Sequence, residues 1–173
     1  SMSPPSRPDV IIRSGFSIFN LVLPLSNSEK IILRLVIQKI LENIPVTLEL
    51  DDITLDSITE VSETDKVEIT FNVAIPDQQL KILLTEDGHL WTQEKLVEVT
   101  ENLRQSIVQS ISDADKVMNA FTMIISDSNS VFANVTVDSG AADDVEELTN
   151  AIEVYESQST SESASNSQST LIL

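Results

Sequence analysis

The apolar residues of the chain change their spacing at Pro45, and this change limits the folds that are open to it. From Ile32 to Ile44, aliphatic residues recur every three or four positions, which predicts an amphipathic helix with one buried stripe. Pro45 ends this pattern because proline removes a hydrogen bond of the helix. From Val67 to Ile75, apolar and polar residues alternate instead, which predicts a half-buried strand. Both periods within one short stretch indicate an α+β fold.

The flanking segments complete a first unit around this helix and strand. Phe16–Leu25 is apolar and rich in β-branched and aromatic residues, which predicts a strand. Ser26 precedes Glu29 by three positions, the spacing of a capping box, and predicts the start of the helix. Val46–Asp56 alternates with period two and is expected to pair with the later strand as a hairpin. Residues 15–77 are therefore predicted to form a strand-helix-strand-strand unit with an antiparallel sheet.

The second half of the chain is predicted to repeat this order. A second apolar stripe runs from Leu96 to Ile111 and follows Thr92, a residue that favours helix starts. The predicted strands around it are Leu80–Thr85, Ala120–Ile125 and Val131–Val137. A helix over Ala141–Tyr155 is expected to follow them. Residues 78–156 are thus predicted to form a second, tandem unit that ends in a C-terminal helix.

The two ends of the chain differ from these units in composition. Residues 1–14 begin with a proline-rich stretch and are predicted to be a flexible lead. Residues 157–173 consist largely of serine, threonine, glutamine and asparagine, which bury too little apolar surface to offset the entropy of ordering. This segment is predicted to be a disordered linker or tail. No apolar run reaches the roughly 18–20 residues that span a bilayer, so we expect no direct membrane insertion.

The charge and the cysteine content exclude several classes of function. The chain has ten basic and twenty-eight acidic residues, and its formal net charge is −18. This charge opposes nucleic-acid binding, which requires clustered lysine and arginine. It opposes docking on anionic lipid in the same way. The chain has no cysteine, which excludes disulfides, thiolate metal ligands and thiol nucleophiles.

The residues that catalysis commonly uses are scarce and scattered. The single histidine, His89, has no serine nucleophile and acid at a recognisable spacing. The three glycines, Gly15, Gly88 and Gly140, are isolated and form no phosphate-binding loop. Carboxylates are numerous, but no pair is marked as buried in a cleft, as a hydrolase would require. We therefore predict no catalytic residue, no cofactor and no enzymatic activity.

Calcium is the one metal whose ligands the sequence offers. Asp113, Asp115, Asp127 and Asn129 supply oxygen atoms in predicted turns, and oxygen is the donor that calcium prefers. Neither segment has the glycine and the glutamate of an EF-hand loop. Aspartate, asparagine and serine also stabilise turns by bonding to the main chain. Both interpretations stay open, and these four residues are candidate ligands without a defined metal site.

Asn134, Val135 and Thr136 form an N-glycosylation sequon. The predicted strand Val131–Val137 places Asn134 on the side opposite Val135, and therefore toward solvent. A sequon is modified only in proteins that enter the secretory pathway. It indicates a secreted or cell-surface glycoprotein.

The order of the predicted elements and the hairpin Ser128–Val137 resemble the extracellular SEA-type modules, which have ferredoxin-like topology. Those modules commonly carry Gly-Ser-Val at a hairpin where some of them cleave themselves. The corresponding residues here are Asn129-Ser130-Val131 in the second half and Asp65-Lys66-Val67 in the first. The missing glycine does not support self-cleavage. The resemblance implies an extracellular module on a stalk, a role that Ser157–Thr170 could fill.

These observations lead to two hypotheses about function. The first is a non-catalytic structural or adhesive module of a cell-surface or extracellular assembly, which presents sheet faces or edges to a protein or glycan partner. Self-association through open sheet edges belongs to this hypothesis. The alternative is an intracellular acidic scaffold that binds a basic protein partner. The sequon separates the two, because only the first hypothesis exposes it to glycosylation.

Overall fold

The computed structural model of the chain describes residues 8–125, 129–137, 142–156 and 168–169. The strands in this part of the chain are β1 (Pro8–Phe19), β2 (Ile53–Glu60), β3 (Lys66–Ala74), β4 (Asn150–Glu156) and the two-residue β5 (Gln168–Ser169). The helices are α1 (Asn27–Ile40), α2 (Asp77–Leu84), α3 (Gln93–Ser112), α4 (Ala114–Ile124) and α5 (Ala142–Leu148), with a short 3₁₀ turn at Leu50–Asp52. The sequence before Pro8, predicted to be part of a flexible lead, lies outside the described residues.

The strands form one antiparallel sheet in the order β2-β3-β1-β4-β5. Strand β1 lies at the centre, and its pairing with β3 runs from Ile11 opposite Ala74 to Phe19 opposite Lys66. Helices α1 and α3 contact the sheet through β2 and through β1 and β4, respectively. The fold is therefore α+β with an antiparallel sheet, as the alternating periods predict.

Helix α1 confirms the clearest prediction from the sequence. The Ser26 hydroxyl accepts a hydrogen bond from the Glu29 amide at 3.1 Å, and the Glu29 carboxylate accepts one from the Ser26 amide at 2.8 Å. This is the predicted capping box. The apolar stripe is buried: Leu33, Val36, Ile37 and Ile40 are its members within α1. The helix ends at Ile40 and not at Ile44, although Leu41 and Ile44 remain in the core.

The predicted hairpin is also present, but its first strand is shorter than expected. The alternating residues Val67, Ile69, Phe71 and Val73 of β3 are buried, as predicted. Strand β2 begins at Ile53, whereas alternation starts at Val46. The intervening segment satisfies its carbonyl groups through α1: Gln38 Nε2 donates to Leu48 O at 2.9 Å, and Arg34 Nη2 donates to Leu50 O at 2.7 Å. Strand pairing is therefore not required there.

The first predicted strand is displaced toward the N-terminus. It was expected at Phe16–Leu25, and β1 instead covers Pro8–Phe19. Asn20 has a φ of 66°, a left-handed conformation that ends the strand. Leu21 and Leu25 are buried all the same, so their apolar character reflects packing of the loop against the core. Residues 8–14, which were assigned to the flexible lead, belong to the central strand.

The prediction of a strand at Leu80–Thr85 is wrong, because this segment belongs to α2. The two buried side chains of the helix, Leu80 and Leu84, are four residues apart and share one helical face. The helix follows Pro76, whose missing amide hydrogen is not needed at a helix start. A short apolar run does not distinguish these two structures by itself.

The strands predicted at Ala120–Ile125 and Val131–Val137 are not formed. The first segment belongs to α4, whose buried side chains Val117, Ala120 and Phe121 follow helical spacing. The second consists of turns, and its one strand-like contact is an isolated bridge between Thr136 and Phe19. Its apolar residues Phe132 and Val135 are buried against the core without sheet pairing. The alternating apolar residues of Val131–Val137 therefore mark a loop that packs against the core and do not mark a strand.

The helix predicted over Ala141–Tyr155 is divided between two elements. Helix α5 covers Ala142–Leu148, and β4 then pairs with β1 from Asn150 opposite Arg13 to Glu156 opposite Pro8. The predicted second unit thus contributes a strand to the sheet of the first, and the tandem arrangement is not confirmed. Most of the predicted tail lies outside the described residues. Its Gln168 and Ser169 pair with β4.

Candidate functional site

The sequon lies on residues 129–137, which we call the sequon loop. Asn134 and Thr136 are exposed, whereas Phe132 and Val135 are buried. The bridge to the end of β1 fixes the loop through two main-chain bonds: Phe19 N to Thr136 O at 2.8 Å and Thr136 N to Phe19 O at 3.1 Å. The ring of Phe132 also contacts that of Phe121 on α4. The loop therefore presents Asn134 to solvent from an anchored base.

The setting of Asn134 suits a modification site better than the predicted strand does. The residue lies in a turn, where Val135 N donates to Phe132 O at 3.3 Å. Its side chain makes no hydrogen bond to another described residue. An exposed asparagine in a loop is the usual context of an N-linked glycan. The motif was found from the sequence, and its solvent-facing position was predicted, but the strand assignment was wrong.

Two of the candidate calcium ligands, Asp113 and Asp115, lie at the start of α4. Asp113 caps α4, where its carboxylate accepts a hydrogen bond from Lys116 N at 3.2 Å. Asp113 and Asp115 line a shallow depression that also contains Lys39 and Lys116. Glu42 lines the depression as well, with its carboxylate 2.9 Å from Lys39 Nζ. The depression therefore holds three acidic side chains together with two lysines, which partly offset their charge.

The remaining calcium candidates do not complete a site. Asn129 is exposed on the sequon loop, and Asp127 lies outside the described residues. Within the described ranges, no three histidine or acidic side chains are grouped so that they could hold a metal ion. The structure therefore gathers no candidate ligand set around Asp113 and Asp115.

His89 occupies an exposed turn before α3. Its main-chain amide donates to the Asp87 carboxylate at 3.1 Å. The following residues are Leu90, which is almost fully exposed, and the half-buried Trp91. Across the described chain, no hydroxyl or carboxylate hydrogen-bonds to the His89 ring. The arrangement supplies no nucleophile and base pair.

A cluster around Arg104 was not found from the sequence. Arg104 lies on α3 and is only 8% exposed. Its Nε and Nη2 donate to the two carboxylate oxygens of Glu101 at 3.1 and 2.9 Å. Its Nη1 donates to Glu146 of α5 at 3.1 Å and to Thr149 O at 3.4 Å. The spacing of Glu101 and Arg104 was the available signal, since residues three apart are neighbours on a helix.

The charges of this cluster reinforce one another. The hydrogen bond from Arg104 lowers the pKa of Glu101, although partial burial opposes this effect. The same bond, together with the one to Glu146, raises the pKa of Arg104. Both groups are therefore held in their charged forms. Such a cluster stabilises the contact between α3 and α5.

A second polar cluster crosses three strands of the sheet. Arg13 Nη2 of β1 lies 2.9 Å from Asp56 Oδ2 of β2. Between them, Thr70 of β3 donates its hydroxyl to the same oxygen at 3.2 Å and lies 2.6 Å from the Ser57 hydroxyl. The irregular pairing of β2 and β3 between Leu55 and Ser57 allows both Asp56 and Ser57 to reach Thr70. This cluster links the three strands, and two of its members, Asp56 and Ser57, also line an open depression beside β2.

Comparisons with known proteins find no match: no family model fits the chain, and no curated protein and no solved structure matches it. Among the described helices, none is both long and apolar enough to cross a membrane. In the described part of the chain, the most specific chemical feature is thus the exposed sequon on its anchored loop.

Proposed function

We propose that the chain is a non-catalytic structural or adhesive module of a cell-surface or extracellular assembly. The observation that carries this proposal is the exposure of Asn134 and Thr136 on a loop whose neighbours Phe132 and Val135 are buried. Such a loop can be modified without disturbing the core. Glycan at this position would cover the end of the sheet where the loop meets Phe19 of β1.

The polar clusters support a structural role. The carboxylate of Glu101 bonds to Arg104, and that of Asp56 bonds to Arg13 and Thr70. Each cluster holds helices or strands together: Arg104 joins α3 to α5, and Asp56, Ser57 and Thr70 join β2 to β3.

We further propose that the four long strands form a single ferredoxin-like unit similar to that of the SEA-type modules. Two observations support it: strands and helices follow one another as β1-α1-β2-β3, then helices, then β4, and the sheet order is β2-β3-β1-β4. This is the split arrangement in which β3 lies between β1 and β2. The resemblance thus concerns one unit across the whole sheet and replaces the tandem version.

Self-cleavage is not part of this proposal. In a single unit, the hairpin between β2 and β3 corresponds to the cleavage hairpin of the SEA-type modules. Strand β3 begins there with Lys66 and Val67 after Asp65. Lysine has no hydroxyl to attack a peptide bond. Ser130, which does carry a hydroxyl, lies in the sequon loop, where its Oγ accepts a hydrogen bond from Phe132 N at 3.2 Å.

The proposal can be tested on intact cells of the native source. We expect a protease added outside the cells to remove the chain, and an antibody raised against it to label unpermeabilised cells or the surrounding matrix. A cytosolic protein of the same cells serves as the control and must stay intact. Labelling that requires permeabilisation would contradict the proposal and favour the alternative, an intracellular acidic scaffold, which the net charge of −18 supports.

A further inference from the structure

The two edges of the sheet differ in how they are covered. At one edge, β5 pairs with Val154 and Tyr155 of β4. At the other edge, β2 is the last strand. Beside it lies an open depression of about 350 Å³, which we call the β2 groove. It is lined by Leu23, Pro24, Leu25, Lys30, Leu55, Asp56, Ser57 and Ile58. One wall of the groove is therefore the free edge of β2, and the other is the loop between β1 and α1.

The main chain of β2 presents hydrogen-bonding groups to this groove. The carbonyl of Ile53 points away from β3, because it accepts a bond from Arg34 Nε at 2.9 Å. The amide of Val61 points toward β3, because it donates to Lys66 O at 3.0 Å. Along a strand, the main-chain groups of successive residues point alternately toward and away from the neighbouring strand. Counting forward from Ile53 and backward from Val61, with Asp56 as the extra residue, the amides of Leu55 and Ile58 point away from β3.

These outward groups have no partner in the described structure. Within the described ranges, no hydrogen bond from outside the sheet reaches the main chain of residues 54–60. Unpaired groups along a strand edge are a template for an added strand. Residues Ser57 and Thr59 differ from their neighbours, since their main chains face Thr70 and Glu68 of β3. Their amides therefore serve as internal controls when the exposure of the Leu55 and Ile58 amides is measured.

Apolar residues line much of the groove, and two exposed apolar side chains adjoin its lining residues in the sequence. Six large apolar side chains are exposed in the described structure: Val22, Ile31, Val61, Ile82, Leu90 and Met123. Val22 precedes Leu23 of the groove and is 62% exposed, and Ile31 follows Lys30 and is 46% exposed. Val61 directly follows β2. Leu55 and Ile58 within the groove are only half-buried. The groove therefore offers apolar contacts as well as main-chain bonds.

We infer that the β2 groove binds an extended, basic segment of a protein partner, which adds to β2 as a further strand. This inference rests on the proposed function, since it names the edge that the module presents. Acidic residues flank β2: Glu60 is exposed at one end, and Asp51 at the other end is fully exposed, although it lies 3.6 Å from Arg34 Nη2. The groove lining itself holds one cation, Lys30, and one acidic residue, Asp56. The excess of acidic charge therefore comes from the flanking residues and from the net charge of −18. A segment with lysine or arginine next to apolar residues would match both the acidic residues that flank β2 and the apolar lining of the groove.

The same charge opposes a second copy of this chain as the occupant. Two copies would each bring a net charge of −18 to the contact. The irregular pairing at Asp56 also disturbs the regular edge that two identical strands would need. A single basic peptide meets neither obstacle, because it is opposite in charge and can adapt its conformation to the irregular strand.

Amide hydrogen exchange measured by NMR tests the inference directly. The probe is a short synthetic peptide of alternating lysine and valine. At ten times its dissociation constant, we expect exchange of the Leu55 and Ile58 amides to slow by about tenfold, since only the free fraction of the protein exchanges. The amides of Ser57 and Thr59 should not change, because β3 already binds them. A peptide of equal charge with N-methylated valines should lose the effect.

Paired variants separate groove binding from general attraction to an acidic surface. Ile58→Lys places a charge in the groove and should abolish the slowing at Leu55. Thr59→Lys adds the same charge on the other face of β2 and should retain it. An equal response to the N-methylated peptide, or slowing without peptide that increases with protein concentration, would overturn the inference. The first result would indicate charge attraction alone, and the second a contact between copies.

The outcome can be separated from that of the proposed function. Lack of protection at Leu55 and Ile58, in a protein that is found on the cell surface, would remove strand addition and leave the extracellular role in place. Protection in a protein that is found only inside cells would leave strand addition in place and favour the acidic scaffold. Each result therefore bears on one of the two proposals.

Discussion

Ser14 and Thr149 are 135 positions apart in the chain, and their hydroxyl oxygens lie 2.7 Å apart in the interior of the molecule. Ser14 belongs to the central strand β1, and Thr149 connects α5 to β4. Thr149 Oγ1 also donates to Val145 O of α5 at 2.6 Å. This pair therefore fixes the point at which the last part of the fold joins the first strand.

Loss of the Thr149 hydroxyl should destabilise the fold. We expect Thr149→Val to lower the free energy of unfolding by about 2 kcal/mol, because it leaves the buried Ser14 hydroxyl without its partner. Unfolding in urea would measure the change. Thr122 provides a matched control, since its hydroxyl also bonds to a carbonyl four residues earlier but is exposed on α4. Thr122→Val should cost less than about 0.5 kcal/mol.

A double variant tests whether the two hydroxyls act as a pair. Ser14→Ala combined with Thr149→Val removes both partners, so no unsatisfied hydroxyl remains at this contact. Its loss of stability should be smaller than the sum of the losses of the two single variants. Simple additivity would show that the 2.7 Å contact contributes nothing specific.

The contribution of Glu101 should depend on pH. Its pKa is lowered in the folded protein by the hydrogen bond from Arg104. A lowered pKa in the folded state gives stability that is complete above the pKa of the unfolded state and is lost as the pH falls through the folded value. Glu101→Gln should therefore cost about 1 kcal/mol at pH 7, and this cost should shrink between about pH 5 and about pH 3.

The comparison must be made against a neighbouring carboxylate, because the chain carries twenty-eight acidic residues. Glu98 lies on the same helix and is 61% exposed, at 3.9 Å from Lys95 Nζ. Glu98→Gln should change the free energy of unfolding little at either pH. A Glu101→Gln effect that persists unchanged at about pH 3 would contradict the role assigned to the Arg104 bond.

Gly15 occupies a position where β1 has no room for a side chain. A Cβ atom there would lie 2.8 Å from Ile69 O, 3.0 Å from Leu148 Cδ1 and 3.1 Å from Thr70 Cγ2. We expect Gly15→Ala to destabilise the protein by about 2–3 kcal/mol, since the carbonyl belongs to a paired strand that must shift. Thermal unfolding would show this as a lower midpoint.

Gly88 provides the contrasting case. It has a φ of +83°, and a Cβ atom there would meet nothing within 4 Å. Gly88→Ala should therefore cost only about 1 kcal/mol, the penalty of a left-handed conformation. If both alanine variants lost the same stability, crowding at Gly15 would not be the cause.

The sequence predicts those elements whose signals are local. The capping box of Ser26 and the stripe of α1 require only neighbours along the chain, and the alternation in β3 reports a strand that is buried on one face. The short apolar run at Ala120–Ile125 was assigned to the wrong structure because four or five aliphatic residues fit a helix and a strand equally well. Asp113 there caps α4, which is the turn-stabilising alternative to a calcium ligand.

The pairing of β4 with β1 could not be predicted because it depends on contacts distant in sequence. Nothing near Asn150 indicates that Arg13 will lie opposite it. The same reason applies to Arg104, whose partner Glu146 comes from α5, and to the β2 groove, where Leu23 lies beside Leu55. In the sequon loop, the motif at Asn134 was visible in the sequence, but the anchoring of Thr136 to Phe19 was not.

The extracellular role is tested most directly by the mass of the protein from its native source, before and after enzymatic removal of N-linked glycans. We predict a mass loss that maps to Asn134. In recombinant protein made through a eukaryotic secretory pathway, Thr136→Ala should abolish the glycan, and Thr136→Ser should retain it. An unmodified Asn134 in fully recovered native peptides would contradict the account and favour the intracellular acidic scaffold.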